Sequence, residues 1–206
     1  MIEITLDGET LEVAPGTTIL EAAGGCIPTL CFDDRQAPFG ACRVCLVGVE
    51  GAKGPLPACT TQVRAGMIVD TQDPTATRVA QAVVELVLSE LPGPPAEHTE
   101  LAQVARQLNV TDTRWPGPQH AIKHDERHPY LALQSEWCIS CGRCVRACDE
   151  VQGTFALTAT GRGYHANIAA GLDEGFRTSA CVSCGACADT CPTDAITEIT
   201  LLDLVG

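Results

Sequence analysis

Cys138-Ile139-Ser140-Cys141-Gly142-Arg143-Cys144-Val145-Arg146-Ala147-Cys148 is the stretch on which the chain is organised. It recurs as Cys181-Val182-Ser183-Cys184-Gly185-Ala186-Cys187-Ala188-Asp189-Thr190-Cys191, followed by Pro192. Both halves have the spacing C-x2-C-x2-C-x3-C, the run that holds cubane iron–sulfur clusters. Three thiolates spaced by two residues wrap one face of a cube, and the fourth, on a helix pointing away, reaches the neighbouring cube. The spacing therefore predicts one [4Fe–4S] cluster on Cys138, Cys141, Cys144 and Cys191, and a second on Cys148, Cys181, Cys184 and Cys187. Structural zinc needs only four ligands from two C-x2-C pairs, which two tandem triplets overshoot. A disulfide framework suits short secreted chains, and nothing here points to export.

Working outward toward the N-terminus, Cys31, Cys42, Cys45 and Cys59 are spaced C-x10-C-x2-C-x13-C. Three lie on one loop and the fourth arrives from further along. That is the layout of a [2Fe–2S] site in a plant-type ferredoxin fold, with a longer first gap than usual. Gly40 and Gly54 are expected to let backbone N–H groups approach the sulfurs, which would raise the reduction potential. Cys26, in Gly25-Cys26-Ile27-Pro28, reads as a small buried hydrophobe rather than a ligand.

The surrounding pattern is α+β. Residues 2–6 and 10–14 alternate around Asp7-Gly8, a hairpin signal. Thr17 or Thr18 caps a short helix over 19–23, which Gly24-Gly25 ends. Residues 45–49 and 67–70 supply further strands. Asp73-Pro74 opens a helix with an apolar stripe of Val79, Ala82, Val83, Leu86 and Val87, and Leu91-Pro92-Gly93-Pro94-Pro95 breaks it. A second helix is expected over 97–108, with Leu101, Val104, Ala105 and Leu108 on one face. Residues 111–129 read as loop. Four of the five histidines fall between 98 and 128, and their irregular spacing favours solvated loop histidines over a metal site. Residues 154–168 read as a hairpin and 195–200 as a closing strand. The predicted organisation is a β-grasp, plant-type [2Fe–2S] ferredoxin-like domain over 1–75, a short helical connector over 76–129, and a bacterial-type two-[4Fe–4S] ferredoxin domain over 130–206.

Composition narrows the function. The 206 residues are 45% hydrophobic but only 4% aromatic, and include 13 cysteines and 19 glycines, so ligand loops outweigh a large rigid core. A net charge of −13 argues against nucleic acid and anionic membrane surfaces. Neither a secretory signal nor an apolar run of membrane-spanning length is legible, so a cytoplasmic location, where thiolates stay available for metal, is expected. G-x-G-x-x-G and G-x4-G-K-[ST] are both missing, and no catalytic set can be argued. Arg143 and Arg146, beside the first cubane run, would either raise that cluster's potential or serve as solvated helix charge.

Several phrases carry a resemblance: Ile27-Pro28-Thr29-Leu30-Cys31, Ala41-Cys42-Arg43-Val44-Cys45, Pro57-Ala58-Cys59, Cys148-Asp149-Glu150-Val151-Gln152-Gly153-Thr154, and the run at 181–187. They resemble the N-terminal iron–sulfur region of the complex I large iron–sulfur subunit. The resemblance is closer still to the same region of the catalytic subunit of NAD-dependent molybdenum- or tungsten-containing formate dehydrogenases. It spans nearly the whole chain. It implies an electron-transfer subunit without a catalytic site of its own, carrying one [2Fe–2S] and two [4Fe–4S] clusters. The implied partners are a pterin-containing formate dehydrogenase subunit and an FMN/iron–sulfur subunit that reduces NAD. Much of that family holds an extra cubane on H-x3-C-x2-C-x5-C; here His98 is followed by Ala102, Ala105 and Thr111, so that cluster is expected to be missing. The segment Ala22–Cys26 is shorter than in the family. The sequence stops at Gly206, where the family's pterin domain would follow, which implies a separately encoded subunit or a fragment. An NAD-linked hydrogenase or other complex I-like assembly is an alternative setting, and an iron–sulfur redox sensor or regulatory scaffold is an alternative of another class.

Overall fold

The computed structural model describes residues 1–115, 117, 124–125, 128–171 and 175–199. The N-terminal part is a five-stranded mixed sheet. Strands β1 (Ile2–Leu6) and β2 (Glu9–Val13) form the expected antiparallel hairpin, turning through Asp7 and Gly8, both at positive φ. Helix α1 (Ile19–Ala22) starts at Thr18, whose hydroxyl accepts the Glu21 N–H while the Glu21 carboxylate accepts the Thr18 N–H. This reciprocal cap stabilises a helix too short to hold itself. Strands β3 (Leu46–Val49), β4 (Leu56–Pro57) and β5 (Ile68–Asp70) complete the sheet in the order β2-β1-β5-β3-β4, with only the β1–β5 pair parallel. Ile4, Ile19, Val47 and Val69 form its core, into which Cys45 and Cys59 also project.

Helix α2 (Pro74–Glu90) begins where Asp73-Pro74 predicts, the Asp73 carboxylate accepting the N–H groups of Thr75 and Ala76. Its buried face is the expected one only in part: Val83 and Val87 of the stripe pack at the edge of the core. Ala76, Ala80 and Val84 point inward, whereas Val79 and Leu86 are exposed. Small residues win the inner face because the sheet and the cysteine loop approach closely there. Helix α3 (Glu100–Gln107), capped by Thr99, buries Leu101, Ala102, Val104 and Ala105. Together the two helices form a second core with Leu30 and Val44 of the N-terminal cysteine loop and, from the C-terminal part, Trp137 and Ile139.

The C-terminal part is built from the two cysteine runs. Helix α4 (Arg143–Arg146) and helix α5 (Ala186–Asp189) follow Gly142 and Gly185, both left-handed, at φ of 76° and 78°. Ser140 and Ser183 are left-handed too. Each cysteine of the first run recurs 43 positions later in the second, and the backbone recurs with it, so one loop geometry is used twice. The symmetry breaks after α4, where residues 147–152 continue as π-helix and carry Cys148. Strands β8 (Leu157–Thr160) and β9 (Asn167–Ala170) pair antiparallel as the expected hairpin, which runs two residues past the expected end at 168. Strand β7 (Leu131–Gln134) is flanked by β10 (Ile196–Glu198) and the two-residue β6 (His124–Asp125). Within the stretch read as loop over 111–129, His124–Asp125 instead pairs with β7 as a strand, and residues 116, 118–123 and 126–127, like Thr200 of the closing strand, lie outside the described residues. Among the described residues no helix is long and apolar enough to cross a membrane.

Candidate metal centres

The four N-terminal cysteines converge as two pairs. Cys45 and Cys59 sulfurs are 3.4 Å apart, joined through β3 and β4, and the Cys42 amide donates to Cys31 Sγ at 3.4 Å. All but Cys42 are buried. The loop between them turns its amides inward: Ala41 N–H also meets Cys31, Val44 N–H meets Cys42, and Gly40 N–H meets Cys59. Hydrogen bonding from Cys42 draws the Cys31 thiol down to about 5, whereas Cys42 and Cys45 are pushed well up as the proton-holding partners. Gly40 thus takes the expected role. Gly54 does not: it lies in the β3–β4 turn, a hairpin's length from the sulfurs, facing open space. Cys26 is also corrected. It is exposed, because the larger Ile27 takes the buried position; its carbonyl accepts from Gln107 Nε2 at 2.8 Å and its N–H donates to the Ala23 carbonyl at 3.4 Å.

The C-terminal cysteines line two small cavities, and the runs cross. Cys138, Cys141, Cys144 and Cys191 line one, with Leu133 and Ile168. Cys148, Cys181, Cys184 and Cys187 line the other, with Leu157 and Phe176. The loop amides again point at sulfur. Ser140 N–H donates to Cys138 Sγ and Ser183 N–H to Cys181 Sγ, each at 3.4 Å. Cys148, on the π-helical turn, accepts from Ala156 N–H at 3.1 Å and lies 3.2 Å from Thr154 Oγ1. Burial pushes the thiols of Cys141 and Cys187 up to about 12 and that of Cys144 well up too, with the neighbouring sulfurs adding repulsion. Thiols so placed stay protonated unless positive charge at their centre favours the thiolates. Among the described residues no three Cys, His, Asp or Glu groups converge as a single ion demands. Four thiols spread around a cavity, met by amide donors, fit a polynuclear core better than zinc.

A buried ionic network joins the two regions, which spacing alone could not reveal. Arg143 is 5% exposed. It donates through Nε to Thr190 Oγ1 at 2.9 Å and through Nη2 to Glu100 Oε1 at 3.0 Å and Asp33 Oδ2 at 3.4 Å. Thr190 donates to Asp33 at 2.5 Å, and Arg35 grips both Asp33 oxygens, at 3.0 and 2.9 Å. Arg35 first, and then Thr190, hold the Asp33 carboxyl well below its ordinary range. Arg146 donates to the carbonyls of Cys31 and Ala37 at 2.7 and 2.6 Å, and Glu150 accepts the Ala37 N–H. Neither arginine is simply solvated helix charge: each spans from the first cubane run to the N-terminal cysteine loop.

His98 fits the solvated-loop reading, whereas His128 departs from it. His98 Nε2 lies 2.6 Å from Asp194 Oδ2 on the surface. His128 is 4% exposed and hydrogen-bonded on both ring nitrogens. His120 lies outside the described residues. At the positions where the wider family places cysteines, Ala102 is buried, Ala105 packs into the helical core and Thr111 is exposed.

The family of 2Fe-2S iron-sulfur cluster binding domains matches residues 1–74, and that of NADH-quinone oxidoreductase subunit 3, ferredoxin-like domain, matches residues 128–197. The chain carries these two iron–sulfur domains. It is 31% identical over 211 residues to the NADP-reducing hydrogenase subunit HndD of Solidesulfovibrio fructosivorans, covering 96% of this chain and 36% of that protein. It is 33% identical over 204 residues to the alpha subunit of the NADPH-Fe(3+) oxidoreductase of Geobacter sulfurreducens, covering 95% and 24%. A chain in the crystal structure of an NAD+-reducing [NiFe]-hydrogenase in the H2-reduced state superposes with a TM-score of 0.87 at 28% identity, over 97% of this chain and 88% of that one. The chain thus spans about a quarter to a third of these curated relatives. None of these three is described as a formate dehydrogenase.

Proposed function

We propose that the chain is an electron relay within a multi-subunit, NAD(P)-linked oxidoreductase. In this reading Cys31, Cys42, Cys45 and Cys59 hold a [2Fe–2S] cluster. Cys138, Cys141, Cys144 and Cys191 hold one [4Fe–4S] cluster, and Cys148, Cys181, Cys184 and Cys187 hold another. The clusters, when bound, accept and pass single electrons. The chain's own residues set their spacing, exclude water and aim amide dipoles at sulfur, which favours the reduced state. The observation that carries the reading is the Asp33–Arg143–Thr190 network. It anchors the residue two after Cys31, the residue before Cys144 and the residue before Cys191 in one buried unit, so the sulfur sets keep a fixed separation.

On one side the relay meets a flavin-bearing subunit that reduces NAD(P). On the other it meets a hydrogen-oxidising subunit. The superposition over most of a chain from an NAD+-reducing hydrogenase, and the similarity to a hydrogenase subunit, support that choice. The segment Cys148–Thr154 favours a second reading, a pterin-bearing formate dehydrogenase partner, through the resemblance it carries. Affinity purification of the native complex separates them: nickel in the co-purified partner supports the first, molybdopterin or tungstopterin the second. Adding the anaerobic chain back to the separated partner subunits is expected to restore electron flow to NAD(P). No restoration with either partner contradicts the relay.

A further inference from the structure

We propose that His128 is a positioning residue for the cluster on Cys148, Cys181, Cys184 and Cys187, acting through Ser183. The inference rests on the cluster assignment above. Nδ1 of His128 accepts the N–H groups of Tyr130 and Leu131 at 3.1 and 3.0 Å. An imidazole nitrogen that accepts two amides carries no hydrogen, so the neutral ring has its proton on Nε2. Nε2 lies 3.3 Å from Ser183 Oγ, and in this tautomer it donates there. The backbone N–H of Ser183 in turn donates to Cys181 Sγ at 3.4 Å. The ring also packs edge-on against Phe176, at 5.5 Å between centroids, and Phe176 and Leu131 both line the same cysteine cavity. One buried side chain therefore meets the ligand loop and two parts of the cavity wall.

Ser183 needs such support. Its φ of 60° is left-handed, a conformation costly for a residue with a Cβ. That conformation turns its amide onto Cys181. A hydroxyl anchor from a fixed imidazole offsets the strain and keeps the amide aimed. Ser140, the matching residue of the first run, has the same backbone geometry and is exposed like Ser183, but among the described residues no histidine stands against its hydroxyl. The device thus distinguishes the two cubane sites, and its loss affects only one of them.

The test uses the full-length chain, prepared anaerobically, as wild type and as His128→Phe, His128→Gln and Ser183→Ala variants. The potential and air lifetime of each [4Fe–4S] cluster are followed by EPR, with Cys141→Ser and Cys184→Ser assigning the signals. Partners that orient ligands typically matter by 10–100-fold in metal retention. His128→Phe and Ser183→Ala are expected to speed loss of the second cluster by about tenfold and to lower its potential, leaving the first unchanged. His128→Gln, which can still accept and donate, restores much of both. Ser183→Ala removes only a hydroxyl, so a fold defect in His128→Phe does not decide the matter. Equal effects on both clusters, or none on the second, overturn the proposal. A wild-type chain that binds no cubane cluster overturns the assignment beneath it instead.

Discussion

Arg146 reaches out of the first cubane run and donates to the carbonyl of Cys31 at 2.7 Å. The contact ties a residue flanked by Cys144 and Cys148 to the backbone of the first cysteine of the N-terminal site. Replacing Arg146 with alanine removes this bond, the one to Ala37 and the stacking on Phe39. Hydrogen bonds from a charged donor are worth about 1.5–3 kcal/mol. The variant is expected to lose about 2 kcal/mol of stability and to pass electrons more slowly between the [2Fe–2S] and first [4Fe–4S] clusters. Denaturant melts and rapid-mixing reduction check the two effects. Unchanged transfer would show that the contact does not set the spacing.

Arg143 carries more of the load, because it is buried with Asp33 and bridges to Glu100. Breaking a buried ion pair by removing one partner costs about 3–5 kcal/mol. Glu100 is 44% exposed and can turn to solvent, so Arg143→Met is expected at the lower end, about 3 kcal/mol. Lysine cannot reproduce the forked contacts and should restore little. A denaturation midpoint within error of wild type would contradict this account.

The helical core gives a paired prediction. Leu101 is fully buried and Leu86 is 48% exposed. Leu101→Ala is expected to cost about 3 kcal/mol through the cavity it leaves. Leu86→Ala should stay within about 0.5 kcal/mol. Comparable losses from both would mean that the Leu86 edge of the stripe read from the sequence is buried after all.

Gly40 aims an amide at Cys59 from a left-handed conformation, and an added Cβ would meet Thr60 Cγ2 at 3.0 Å. Gly40→Ala is expected to lower the potential of the [2Fe–2S] cluster and shorten its life in air. Gly54→Ala, in open space, should do neither. Cyclic voltammetry on the two variants checks this.

What is legible in the sequence follows the range of each interaction. The hairpin at Asp7-Gly8, the Thr18 cap and the Asp73-Pro74 helix start are local, and spacing or capping chemistry reveals them. The convergence of Cys148 with Cys181, Cys184 and Cys187 is long-range, yet cluster geometry writes it into the spacing. The inner face of the helix after Pro74 is hidden because the apolar pattern runs round most of it. Choosing between Val79 and Ala80 depends on how closely the sheet approaches. Arg143, Arg146 and His128 look like surface or loop residues because their partners, Asp33, Cys31 and Ser183, lie far away in the chain. No periodicity encodes those contacts.

Iron and acid-labile sulfide analysis of the anaerobically purified chain, joined to low-temperature EPR after reduction, tests the central claim most directly. The account predicts about ten iron atoms per chain, two in a [2Fe–2S] cluster and about eight in two cubanes, with signals of both types. A colourless chain, a zinc-loaded one, or an iron count about four higher or lower would contradict it.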